Sequence, residues 1–177
     1  MRTLHLGCGK RKESDAVGVD LLPHPGVDIV HDLDVFPYPI ESGQFDRIIA
    51  MDVLEHLENF VQAIEEIHRV SRHGAEVIIT GPFAASMNRH HDPTHRRGFT
   101  RLSMDYFIAG TENCEKYGYS NARFERTKWG YGVGDDRGLL ARIGCKLANK
   151  LPAFYERNLS YVVPMDHIHY ILKAIKE

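Results

Sequence analysis

Residues 1–20 read MRTLHLGCGKRKESDAVGVD. A strand-like run, Thr3 to Leu6, passes directly into Gly7-Cys8-Gly9, and a second apolar run, Ala16 to Val19, ends on Asp20. An open α/β sheet binds its ligand outside the carboxyl ends of its strands, where glycines let the backbone approach closely. An acid at the end of the second strand can accept both hydroxyls of a ribose. The pattern is that of a nucleoside-binding edge.

The spacing narrows the nucleoside. A dinucleotide fold places a third glycine at position 12, so that a helix can pack on the strand and its N-terminus can hold pyrophosphate. Position 12 is Lys12. The acid of that fold lies roughly 20 residues beyond the glycines, whereas ten residues separate Gly9 from Asp20. The first crossover therefore holds a turn or two of helix at most. A ligand with ribose and adenine but no phosphate does not need that helix, and S-adenosylmethionine is such a ligand.

Composition sets outer bounds. A chain of 177 residues that is 43% hydrophobic fits one domain with a proper core. The 22 basic and 24 acidic side chains leave a formal charge of −2, so no global field favours a nucleic acid or an anionic membrane. Cys8, Cys114 and Cys145 are an odd number without Cys-x-x-Cys spacing, which argues against a disulfide framework or a zinc ribbon. The first strand begins almost at Met1, and no run approaches the length of a membrane span. A soluble cytoplasmic protein is the expectation.

Further β-branched runs at 27–31, 46–51 and 76–80 are apolar enough for strands buried on both faces of a parallel sheet. Between the last two, apolar Val53, Leu54, Leu57, Val61, Ile64, Ile67 and Val70 fall near helical spacing, with Gly74 as a stop. Beyond them the sequence predicts a short helix over 102–108, a strand over 123–129, a helix over 137–151 and a last strand over 167–175.

LHLGCG, VGVDL, HDLDVFPYP, FDRIIAMDVLEHL and RVSRHGAEVIITGPF, in that order, resemble the successive motifs of class I S-adenosylmethionine-dependent methyltransferases, the type 11 group in particular. The resemblance covers about residues 3–83. It implies a Rossmann-like α/β fold with seven strands in the order 3-2-1-4-5-7-6, mostly parallel with an antiparallel last strand, in one domain. Residues 1–83 would form the cofactor half and 84–177 the acceptor half. It further implies S-adenosyl-L-methionine as cofactor, held by Gly7, Cys8 and Gly9, by Asp20 and Leu21 at the ribose, by Asp32 and Leu33 at the adenine, and by Met51, Asp52 and Val53 beside the sulfonium. For each acid a bland alternative stands: Asp20 as a surface acid, the acid after the third strand as a loop holder, with Asp34 making local backbone bonds, and Asp52 as the cap of a helix starting there. The first two crossovers are too short for helices, so the three-layer sheet is expected to be thin on one face. An apolar face in water marks an interface, and residues 137–175 or a second copy in a homodimer would have to cover it.

The acceptor side is sought in SMNRHHDPTHRRGFTR after the fifth strand. His91 or His95, or His56 one turn into the long helix, is the candidate proton acceptor. Arg96 and Arg97 would suit an anionic group. A polar surface loop is the competing interpretation. Metal ligation is set aside, because adjacent histidines cannot share a helical face and four arginines would repel a cation. Glu55 reads as a solvated acid. Tyr131, in an aromatic-rich segment that by resemblance overlies the acceptor, is a binding candidate or a core residue. The expected function is methyl transfer to an oxygen or nitrogen of a small, anionic acceptor. Its rival is an inactive cofactor-binding subunit. A nucleic-acid acceptor is disfavoured, because MDVLEHL stands where an Asn-Pro-Pro-Tyr-like motif would be.

Overall fold

The structure, a computed structural model, describes residues 1–176. Seven strands form one sheet: β1 (Thr3–Leu6), β2 (Ala16–Asp20), β3 (Ile29–Val30), β4 (Phe45–Met51), β5 (Ser71–Pro82), β6 (Arg123–Gly132) and β7 (His167–Ile175). Their order is β3-β2-β1-β4-β5-β7-β6. β7 runs antiparallel to both neighbours, and the pairings from β3 to β5 are parallel. This is the expected topology.

The helices depart from expectation. No helix occupies the crossovers at 7–15, 21–28 and 31–44. The long helix, α1 (Phe60–Val70), begins well after Asp52 and stops before Gly74, so His56 lies in the preceding turn rather than in the helix. The cause is a non-local cap: the Asp34 carboxylate accepts the Glu58 and Asn59 N–H groups at 3.0 and 2.9 Å. It thereby fastens the turn that leads into the helix, up to and including its N-cap residue Asn59. Glycine 74, at φ +75°, instead serves an irregularity in β5 opposite β4. Short helices α2 (Asn88–His91) and α3 (Glu112–Tyr117) follow, with only a 3₁₀ turn at Asp105–Phe107 where a helix over 102–108 was predicted. The helix predicted over 137–151 is α4 (Leu139–Lys150), and α5 (Pro152–Asn158) follows it directly.

One sheet face, carrying Leu4, Leu6, Ile48, Ala50, Val77, Ile79, Ile168, Tyr170 and Leu172, packs into a single core with Ile64, Ile67 and Val70 of α1. The thin face carries an apolar row, Ile49, Ile78 and Ile171, beside a charged one. Along one cross-strand row it places Arg47, Glu76, Lys173 and Glu125, alternating in sign. Arg47 also pairs with Glu13 of the first crossover. A charged row can face water without a helix above it. The exposed apolar side chains lie elsewhere, on Leu139, Leu140, Ile143 and Leu147 of α4 and Phe154 of α5.

Candidate functional site

The edge where β1 and β2 end is built by backbone. Gly7 and Gly9 sit at φ +61° and +50°, in the left-handed region that only glycine enters freely. A Cβ on Gly7 would lie 2.4 Å from the Val53 side chain, so this glycine lets the first loop press against the segment after β4. A Cβ on Gly9 would meet nothing within 4 Å. That space opens toward Asp20, whose Oδ2 accepts the Gly9 N–H at 2.8 Å and whose Oδ1 accepts the Leu22 N–H at 3.0 Å. A carboxylate has about four acceptor sites, so Asp20 is oriented by two bonds and keeps capacity for a ligand. Leu21 is exposed beside it.

The missing crossover helix is replaced by a small polar clamp. The Cys8 side chain is buried, and with the Lys12 stem it fills the volume where Gly18 lacks a Cβ. Lys12 then reaches Asp28 at 2.8 Å, and Asp28 accepts the Gly18 N–H at 2.7 Å. Cys8 can therefore offer its backbone to a ligand, while its thiol packs inside and is pushed up in pKa by burial. Asp32 is exposed after β3 and accepts the Asp34 N–H at 2.9 Å. Leu33 turns into the core at 5% exposure, which leaves its backbone rather than its side chain at the edge.

Two cavities meet at the end of β4. One, of about 200 Å³, is lined by His5, Gly7, Cys8, Arg11, Met51 and Asp52. The other, of about 380 Å³, shares Met51 and Asp52 and adds Glu55, Asn88, His95 and Asp166 among its walls. Asp52 does not cap a helix. It adopts φ +51°, an uncommon conformation for a residue with a Cβ, with its N–H bonded to the Thr80 carbonyl at 3.1 Å. Such local strain concentrates at functional positions, and here it sets the carboxyl between the two cavities.

Of the predicted acceptor-side residues, His56 and His95 come together and the others do not. Their rings lie 4.7 Å apart. His95 Nε2 is 3.8 Å from Glu55 Oε1. His91 is exposed at the end of α2 and does not line the larger cavity. Neither Arg96 nor Arg97 lines it. Arg97 donates to the Leu54 and Glu58 carbonyls and lies over the Phe60 ring, and Arg96 lies near Glu58. Arg89 holds the His95 and Arg96 carbonyls, and Arg101 faces Glu156. The arginines thus fasten the loop instead of facing an acceptor. Tyr131 is buried among Phe83, Trp129 and Tyr155.

Glu55 overturns its sequence reading. It is 1% exposed, its Oε2 has no hydrogen-bond partner, and burial pushes its pKa up to about 7. The turn that buries it is closed by the Arg96 N–H donating to the Glu55 carbonyl at 2.9 Å. His5 and Arg11 also escaped the sequence reading, as did Asn88 and Asp166. His5 is buried in β1 with its Nδ1 accepting the Glu13 N–H, and burial lowers its pKa, so it is neutral with its proton on Nε2.

The model of the family described as a methyltransferase domain matches residues 10–79. No curated protein matches the sequence. Among solved structures, a SAM-dependent methyltransferase from Archaeoglobus fulgidus aligns over 98% of this chain and 85% of its own, at 15% identity and a TM-score of 0.58. The YcgJ protein of Bacillus subtilis aligns over 99% and 92%, at 13% identity and 0.60. The complex of the Haloferax volcanii Trm112 methyltransferase activator with a methyltransferase contains a chain aligning over 99% of this one and 83% of its own, at 12% identity and 0.59. At these identities the structural likeness is one of fold. The strand order is the one expected of a class I S-adenosylmethionine-dependent methyltransferase fold, and the match over residues 10–79 makes the first half of the chain similar to that methyltransferase domain.

Proposed function

We propose that the chain transfers a methyl group from S-adenosylmethionine to an oxygen or nitrogen of a small acceptor bound in the larger cavity. The observation that carries this reading is the shared wall of the two cavities at Met51 and Asp52, which lets a donor on one side meet an acceptor on the other.

The cofactor edge fits its ligand in two respects: the empty volume over Gly9, and the spare acceptor capacity of Asp20. Asp20 would hold the ribose hydroxyls, Gly7, Cys8 and Gly9 the backbone side of the methionine portion, and Asp32 with Leu21 the adenine. Arg11 and the Nε2–H of His5 suit the carboxylate of the methionine portion, an arginine–carboxylate pairing. When bound, the cofactor supplies a methyl group on a sulfonium, electrophilic without further activation. The chain's task is then alignment at about 3–3.5 Å with water excluded, which is worth several kcal/mol. Met51 and Val53 at the junction serve that purpose. His95 stands at the wall where an acceptor proton would leave, with the His56 ring 4.7 Å from its own.

Asp52, Glu55 and Asp166 in the lining favour a hydroxyl or an amine over an anionic group, because a second negative charge would be repelled there. The expectation of an anionic acceptor rested on Arg96 and Arg97, which face elsewhere. The exposed leucines of α4 support self-association through that helix rather than through the sheet face, which light scattering would test. Titration calorimetry tests the cofactor assignment: Asp20→Ala should lose roughly 1.5–3 kcal/mol of cofactor binding, the range for hydrogen bonds to a charged group. Equal affinity in both chains overturns it.

A further inference from the structure

We propose that Glu55, His56 and His95 hold a divalent first-row transition-metal ion at the wall of the larger cavity. Each offers one ligand atom, and these atoms lie within 4.8 Å of one another. Bonds of about 2.0–2.2 Å to nitrogen and oxygen place cis ligands about 3–3.5 Å apart, a contraction that side-chain rotation supplies. Two histidines and one carboxylate suit zinc or iron(II), and both ions leave coordination positions open with that set.

Three features of the side chains point the same way. Glu55 is buried with Oε2 unpartnered, and a buried polar atom without a partner costs about 1–3 kcal/mol unless something satisfies it. His95 Nδ1 lies 2.9 Å from the Asn88 carbonyl, which can only accept. Its proton is therefore on Nδ1, and the Nε2 lone pair faces the Glu55 carboxylate at 3.8 Å. Two acceptors facing each other call for a proton or a cation between them. His56 Nδ1 lies 2.8 Å from Thr94 Oγ1, and that hydroxyl donates to Asp92 Oδ1 at 2.6 Å. The Thr94 oxygen is thus an acceptor for Nδ1–H, and the His56 Nε2 lone pair is left available. Metal-binding histidines are held by outer bonds of this kind, with the second nitrogen donating to a carbonyl or a polar side chain.

The sequence argument against a metal relied on four arginines. All four are paired with backbone carbonyls or with Glu58 and Glu156, and none with the three ligand side chains. Of the other carboxylates on the cavity wall, Asp166 is paired with Arg137 at 3.5 Å, and Asp52 adds a negative charge beside Glu55 that attracts a cation. An acceptor hydroxyl on an open coordination position would lose its proton near neutral pH, so the acceptor class would be an uncharged oxygen ligand such as a vicinal diol. That assignment of acceptor rests on the cavity being the acceptor side, whereas metal binding itself does not.

The test uses the full chain, stripped with chelator and titrated with Co²⁺ alone, then with Zn²⁺ as competitor. The expected result is one equivalent of cobalt, with visible absorption of a low-coordinate site that zinc abolishes. His56→Ala and Glu55→Gln should lose the spectrum. Thr94→Val, which removes only the outer bond, should weaken binding about 10- to 100-fold. Circular dichroism and cofactor titration on the same variants report whether the fold and the cofactor site survive, so loss of metal with retained cofactor binding supports the site. A stripped wild-type chain that takes up neither ion, or folded variants that bind cobalt as it does, would overturn the proposal. Failure of cofactor binding with intact cobalt binding would instead count against the methyl-transfer reading.

Discussion

The cofactor edge and the Glu55–His95 wall stand side by side but are made of different material. At the edge, Gly7, Gly9 and Asp20 come from two consecutive strands, and the recognising groups are backbone amides and one strand-end carboxylate. At the wall, the turn 52–58 and the loop 88–97 are brought together over some 40 positions, through the Arg96–Glu55 backbone bond, Arg97 on two carbonyls and two imidazoles meeting edge to face. The first region is rigid for local reasons. The second depends on a network in which each member is positioned by another.

Substitutions at the two glycines should sharpen this contrast most. Gly7→Ala combines a left-handed backbone, about 1–2 kcal/mol, with overlap against Val53, about 1–3 kcal/mol. It should destabilise the chain by about 2–5 kcal/mol in urea unfolding. Gly7→Ala with Val53→Ala should recover the part due to overlap. Gly9→Ala has open space around its Cβ, so only the backbone cost of about 1–2 kcal/mol applies to stability. Its larger effect should fall on cofactor affinity. Equal stability losses at the two positions would show that the space over Gly9 is not a ligand cradle.

That first region was legible in the sequence because the information is local. Glycine turns, a strand-end acid and β-branched runs identified the strands and pointed to Asp20, and the succession of motifs, by resemblance, implied their order. What escaped is non-local. The helix after β4 could not be timed from its own residues, because its cap, Asp34, lies in the loop after β3. Glu55 read as solvated because nothing nearby in sequence reveals that the loop at 88–97 closes over it. The arginines of that loop suggested an anion site, yet their partners are carbonyls at Leu54, Glu58, His95 and Arg96. The strand pattern also did not show that the face left without helices carries a row of alternating charges beside its apolar row.

Two buried glutamates test the wall more finely. Glu66 is fully engaged: it accepts the Tyr38 N–H at 2.6 Å and two Arg69 bonds at 2.6 and 2.7 Å. Burial alone would raise its pKa, but the Arg69 and Tyr38 bonds outweigh it and hold it below the usual carboxylate value. A group depressed in the folded state contributes stability above its unfolded pKa and loses it as pH falls through the folded one. Glu66→Gln should therefore cost about 1–3 kcal/mol near neutrality, with the difference from wild type shrinking below about pH 4.5. Glu55→Gln should act in the opposite direction, raising the stability of the metal-free chain by about 0.5–2 kcal/mol, as removal of functional strain commonly does. Thermal unfolding with chelator present measures both. A Glu55→Gln loss as large as that at Glu66 would mean that the Glu55 carboxylate is a structural group.

The smallest effect concerns the bare sheet face. In the row Arg47, Glu76, Lys173 and Glu125, the Arg47 Nε lies 3.3 Å from Glu76 Oε1, and Glu76 is directly opposite Lys173. Glu76→Lys puts three cations in succession across β4, β5 and β7. Each like-charged cross-strand neighbour costs about 0.2–1 kcal/mol, so the variant should lose about 0.4–2 kcal/mol in low salt. The charges are exposed, and a Debye length of about 3 Å at 1 M salt should remove most of that loss. Glu76→Gln should fall between the two chains. This pattern distinguishes a solvated face from a covered one: if a second copy sat on this face, Glu76→Lys would bury an unpaired ammonium at the contact. The consequence would be a change of mass in light scattering and a loss that high salt does not restore. A small, screened loss with unchanged mass is the expected outcome, because the alternating charges let the sheet meet water without the helices that other crossovers would supply.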